Sequence, residues 1–163
     1  MRTYDYIILH CSDSSWGDRN IINNWHLQRG WSEIGYHFVV LNGQIKPNFE
    51  LEALNGSIEI GRDIKKPGAH CLGYNSNSIG ICMIGKKHFS KEQIIMTIEL
   101  ITDLMQIYNI NINNVLGHYE TQKANGKTCP NINMDILRDI VKKYQIQDQN
   151  WFNDFDKLFS CSI

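Results

Sequence analysis

Apolar and polar positions divide the chain into segments of two different periods. Residues 6–11 (Tyr-Ile-Ile-Leu-His-Cys) alternate poorly but are β-rich, which predicts a buried central strand. Residues 19–29 place Ile21, Ile22, Trp25 and Leu27 on one helical face, and Gly30 ends the predicted helix. Residues 35–41 and 78–84 read as further strands. Asn42-Gly43 and Asn55-Gly56 are hairpin-turn signals, the second just before a short β-rich run at 57–60. Ser90 and Gln93 form a capping-box pattern. It opens a long helix with Ile94, Ile95, Ile98, Ile101, Leu104, Met105 and Tyr108 at helical spacing. Val115-Leu116 is a short strand. Asn131 or Asn133 caps a helix over 134–144, which buries Ile136, Leu137, Ile140 and Val141. Strands and helices interleave with no internal repeat or linker, so the expected fold is α/β, a single domain with a central mixed sheet flanked by helices. In the tail, Trp151, Phe152, Phe155, Leu158 and Phe159 predict an amphipathic helix with an acidic far side. Docking on its own domain is the expected role, and a partner or self-association surface is the alternative.

Composition narrows the class. The 163 residues suit one domain with a sizeable core. Net charge is −1 and the lysines are scattered, so no basic face points to nucleic acid. The apolar run at 7–9 is too short for a signal peptide or a membrane span. A chain complete as written is expected to be made in the cytoplasm without its own export signal. Five cysteines, an odd number, do not form a disulfide framework, and a reducing compartment is favoured. Cys71, Cys82 and Cys161 are expected to be plain buried thiols.

Three residues carry candidate chemistry. They are His10 at the end of the first strand, His118 in Gly117-His118-Tyr119-Glu120, and Cys129 in Lys127-Thr128-Cys129-Pro130. Two imidazoles and a thiolate suit Zn²⁺, and three protein ligands leave one tetrahedral position open, as in catalytic zinc sites. Spacing alone does not bring them together. Each also has a plain reading: a hydrogen-bonded core histidine, a buried thiol, or a cysteine nucleophile activated by a histidine. Strand alternation turns Leu9 and Cys11 away from His10, so His10 and Cys11 should not share one metal.

The three lie in an ordered series of motifs. Ile8-Leu9-His10-Cys11-Ser12 is followed by Trp25-His26, Gly30-Trp31 and Ile34-Gly35-Tyr36-His37-Phe38. Gly68-Ala69-His70-Cys71-Leu72-Gly73-Tyr74-Asn75, Ser78-Ile79-Gly80-Ile81 and Lys127-Thr128-Cys129-Pro130 complete it. From residue 4 to 144 the chain closely resembles the type 2 N-acetylmuramoyl-L-alanine amidases, a family that includes phage lysis amidases and the animal peptidoglycan-recognition proteins. The resemblance implies zinc on His10, His118 and Cys129, and hydrolysis of the amide between N-acetylmuramic acid and L-alanine of peptidoglycan. It implies that Tyr36 faces the developing oxyanion and that Lys127 assists as a cation. His70 and Asn75, in a run that borders the peptide groove in relatives, are expected to touch substrate. His26, His37 and His88 are expected to be structural, with His37 opposite Tyr36. Glu120 is expected to be a partner of His118 or a solvated loop carboxylate.

The same resemblance makes 1–144 the zinc amidase domain and 145–163 an extension. Residues 44–54 exceed the length expected of phage relatives and read as an extra hairpin or a loop beside the cleft. Peptidoglycan or muropeptides are the expected partner, the chain is expected to be a monomer, and it would reach the cell wall after release or host lysis. Two rivals remain. One is a non-catalytic peptidoglycan-binding module, against which Cys129 argues. The other is a regulator that inhibits an RNA polymerase, for which no surface signal is present.

Overall fold

The computed structural model describes residues 2–124 and 126–159, so the expectation for Cys161 lies outside the described residues. Five strands form one mixed sheet in the order β3-β2-β4-β1-β5. They are β1 (Tyr6–Cys11), β2 (Phe38–Lys46), β3 (Phe49–Ile60), β4 (Ser78–Met83) and β5 (Val115–Gly117). β1 lies parallel between β4 and β5, β2 runs parallel to β4, and β3 returns antiparallel on β2. The central strands are buried on both faces, which is why their sequences read as near-continuous apolar runs.

The two faces carry different layers. Ile7, Leu9, Val40, Ile79, Ile81 and Met83 point toward α2 (Lys91–Tyr108) and α3 (Met134–Gln145), against Ile94, Ile98, Ile101, Leu137 and Ile140. Val39, Leu41, Cys82 and Ile84 point the other way, toward Ile22 of α1 (Arg19–Gln28). Asp18 caps α1 through the amide of Ile21. Ser90 and Gln93 form the capping box of α2, and Asn133 caps α3 through the amide of Ile136.

Several expectations are corrected. The strand predicted from residue 35 begins at Phe38 and runs through Asn42-Gly43 to Lys46. Asn42-Gly43 and Asn55-Gly56 are not turns. Asn42 pairs with Asn55 across the hairpin, at register shifts where Gly43 and Gly56 both adopt φ of 82°. These are bulges, which need a residue at ease with positive φ just as a tight turn does. The turn itself lies at Pro47-Asn48, so 44–54 is the far end of one long hairpin. Leu27 is 45% exposed rather than inward. The tail forms a 3₁₀ helix, Gln149–Phe159, not an α-helix. It lies against α3: Trp151 and Leu158 are buried, Leu158 O accepts from Asn133 N, and Lys143 pairs with Asp154.

Candidate metal centre

His10 stands on β1 with its ring on the α1 side of the sheet, while its neighbours Leu9 and Cys11 pack into the α2–α3 core. His118 begins the short turn after β5, and Cys129 lies on the loop leading to α3. The fold brings their ligand atoms within 4.8 Å of one another, and His10 Nδ1 lies 3.9 Å from Cys129 Sγ. Tetrahedral zinc with bonds of about 2.0–2.3 Å needs its ligand atoms about 3.3–3.8 Å apart, so a contraction of at most about 1.5 Å would complete the geometry.

The chemistry of the donors fits the ion. Burial, then the neighbouring His70, holds His10 well below the ordinary imidazole range, and burial with Lys127 lowers His118 to about 4. Both rings are therefore neutral at pH 7, as metal ligands must be. The neighbouring thiol of Cys11 and burial push the Cys129 thiol up, so a thiolate there requires a cation beside it. The Cys11 amide already points at the sulfur, 3.2 Å away.

The surrounding groups are placed by distinct devices. Lys127 Nζ lies 3.3 Å from His118 Nε2; an ammonium only donates, so this nitrogen bears a lone pair. The Tyr36 ring lies 5.0 Å from His10, and burial, then the neighbouring thiols, push its phenol well above the ordinary range, so it stays a neutral donor. Tyr36 sits in the lead-in to β2, where its carbonyl takes Arg62 N and its neighbour His37 bonds to Gly80 and Gly61. His26 accepts from Gly35 N and packs between Trp31 and Tyr36, and His37 accepts from Gly80 N; both serve the framework. Glu120 is half-buried and engaged elsewhere than at the His118 ring. It takes the amide of Gly117 and a two-pronged bond from Arg138 of α3.

His70 and Asn75, expected to touch substrate, are both tied into the structure by hydrogen bonds. His70 is 9% exposed, and its Nδ1 is 3.0 Å from His10 Nε2. Asn75 Oδ1 accepts the amides of His70 and Cys71, tying the loop into a fixed turn. Arg2 holds the same loop by donating to the carbonyls of Ile64, Lys66, Asn75, Ser76 and Ser78. Sequence spacing gave no sign of Arg2, Ser78 or Arg138 in these roles. One signal was present: Gly80 in mid-strand, which marks close approach of another group.

The family profile described as N-acetylmuramoyl-L-alanine amidase matches residues 1–132. The chain is 36% identical over 85 residues to the endolysin of Escherichia phage T7, a match covering 50% of this chain and 48% of that protein, about half its length. To the endolysin of Klebsiella phage KP32 it is 28% identical over 140 residues, covering 78% of this chain and 81% of the relative. The solved structure of the N-acetylmuramoyl-L-alanine amidase LysC from Clostridium intestinale aligns with a TM-score of 0.70 at 25% identity, covering 90% of this chain and 87% of that one.

Proposed function

The chain belongs to the N-acetylmuramoyl-L-alanine amidase family, and on that footing we propose that it is a zinc-dependent hydrolase of peptidoglycan. Its reaction would break the amide between the lactyl group of N-acetylmuramic acid and the L-alanine of the stem peptide, in the manner of a phage endolysin. The observation that carries this reading is the convergence of His10, His118 and Cys129 in one cluster, with Lys127 and Tyr36 beside it. Zinc, when bound, supplies Lewis acidity, polarising a carbonyl oxygen and lowering the pKa of water to about 7.

The protein's own groups supply the rest. His10 and His118 offer neutral lone pairs, and Cys129 contributes the one negative charge. Lys127 places a cation where negative charge grows as the carbonyl becomes tetrahedral. Tyr36 is a neutral phenol able to donate a hydrogen bond to the same oxygen, or to pass a proton toward the leaving amine. Among the described residues the ligand cluster holds no carboxylate, which disfavours glycoside cleavage by a carboxylate pair. No helix of the described residues is long and apolar enough to cross a membrane, in keeping with a substrate in the cell wall.

Digestion of purified peptidoglycan tests the reading. Mass spectrometry should find free L-alanine amino termini and no new reducing sugar ends. A strong chelator should stop the reaction, and added zinc should restore it. New reducing ends without free alanine would overturn it, and binding of muropeptides without any cleavage would favour a recognition module.

A further inference from the structure

The ring of His70 occupies a seat built for it. A Cβ added at Gly80 would lie 2.5 Å from His70 Cδ2, and one added at Gly68 would lie 2.4 Å from the same atom. Asn75 fixes the backbone of this residue, and the ring meets a polar group at each of its two nitrogens. Ser78 Oγ lies 2.7 Å from the carbonyl oxygen of Tyr74 and 3.4 Å from His70 Nε2, and His70 Nδ1 lies 3.0 Å from His10 Nε2. His10, His70 and Ser78 are all buried, so water does not compete for these bonds.

The protons along this chain are set by its closed end. A carbonyl oxygen only accepts, so the single hydroxyl proton of Ser78 points at Tyr74 O. The lone pairs of Ser78 Oγ then face His70 Nε2, which must carry the ring proton. A neutral imidazole protonated on Nε2 has a bare Nδ1, and His70 Nδ1 accepts from His10 Nε2–H. His10 in turn keeps a bare Nδ1, the atom that faces Cys129 Sγ at 3.9 Å. The opposite polarity would turn the Ser78 proton toward His70 and leave two oxygens opposed at 2.7 Å with no proton between them.

We propose that His70 is a positioning residue: through the chain Tyr74 carbonyl–Ser78–His70–His10 it fixes the tautomer of His10 and presents the His10 Nδ1 lone pair to the metal. This inference rests on the zinc reading above. Metal-bound histidines commonly donate their second N–H to a carboxylate, a carbonyl or water. Here the acceptor is a neutral imidazole, backed by a hydroxyl and a backbone carbonyl. The relay adds no charge to the pocket, so Cys129 remains the one anionic ligand of the set.

Two measurements test it. In ¹⁵N-histidine-labelled, metal-free wild-type protein at pH 7, imidazole NMR correlations should show both His10 and His70 protonated on Nε2. His10 protonated on Nδ1 would overturn the proposal. Zinc affinity is then read by competition with a chromophoric chelator. His70→Phe keeps the ring but lacks an acceptor, and should bind zinc about 10- to 100-fold more weakly. His70→Asn, whose side-chain oxygen falls near the place of Nδ1, should recover most of that loss. Wild-type affinity in a folded His70→Phe protein would overturn the proposal, and so would failure of His70→Asn to improve on His70→Phe. If His70→Phe does not fold, the wild-type spectrum decides. If wild type binds no zinc, the metal reading fails while the spectrum still decides the tautomer chain.

Discussion

Arg138 on α3 holds the Glu120 carboxylate with both ends of its guanidinium, Nη1 at 2.9 Å from Oε2 and Nη2 at 2.8 Å from Oε1. The same carboxylate receives the amide of Gly117, one residue before His118, at 2.8 Å. A helix from the α2–α3 layer thus fixes the turn that presents His118 on the other side of the sheet. Hydrogen bonding to Glu120, partly offset by burial, drives the Arg138 guanidinium further up, so it stays a cation. Arg138→Leu should lower stability by about 2 kcal/mol, the usual worth of hydrogen bonds to a charged group. It should also weaken zinc binding, because the His118 turn loses its anchor. Chemical denaturation and a zinc competition assay check both effects, and unchanged zinc affinity would reduce Arg138 to a stabilising contact.

Cys129→Ser and Tyr36→Phe separate binding from chemistry. The serine hydroxyl is a poor replacement for a soft thiolate, so Cys129→Ser should lose both zinc and activity. Tyr36→Phe should keep about one zinc per chain and lose most of kcat with little change in KM, because the phenol is proposed to act in the transition state. Metal content and kinetics on both variants decide. Zinc retained by an inactive Cys129→Ser, together with a wild type that survives strong chelation, would make the cysteine a nucleophile.

Lys127→Met should keep the zinc and slow the reaction by about 10²- to 10³-fold, the typical cost of removing one electrostatic donor from a developing oxyanion. The cation also contributes, after burial, to the low pKa of His118. Its loss should therefore raise the His118 pKa, which an NMR titration of the metal-free protein reads. A rate within a factor of a few of wild type would leave the oxyanion to the metal and Tyr36.

Acid should destabilise the metal-free protein. Burial lowers His26, His37 and His118 to about 4 in the folded state, against about 6.5 for an unfolded histidine. Between these values the unfolded chain binds more protons, so stability rises with pH. The stabilisation is complete above about 6.5 and is lost as pH falls from there toward 4. Tm should drop steadily over that window and change little just above it. A Tm that is flat from pH 7 to 4.5 would show that these histidines are not held neutral.

The 3₁₀ tail is a test of docking. Leu158 is fully buried and its carbonyl accepts the amide of Asn133, the cap of α3. Leu158→Ala should cost about 2–5 kcal/mol, as for other buried leucines, and should leave zinc affinity unaltered. Thermal unfolding measures the loss. Wild-type stability would mean that the tail does not rest on the domain in solution.

Local signals in the sequence determined much of the scaffold, because the groups involved lie within a few residues. Ser90 caps α2 through Gln93, Asn133 caps α3, and the apolar runs around Ile8 and Gly80 are buried strands because both of their faces are covered. The ordered motifs also singled out His10, His118 and Cys129, which the structure brings together in one cluster. What depended on partners far along the chain was decided by tertiary structure. Asn42-Gly43 has the chemistry of a turn, but pairing with Asn55 makes it a bulge, since positive φ serves either use. Leu27 fits a helical stripe, yet it stays 45% exposed. His70 sits in a loop-like run whose sequence says nothing of burial. Only the folding of residues 68–78 over β1 and β4 seats its ring against Gly80 and puts Nδ1 within reach of His10. A hydrogen bond is satisfied over about 3 Å, and which groups come that close across sixty or a hundred residues is fixed by packing rather than by local preference.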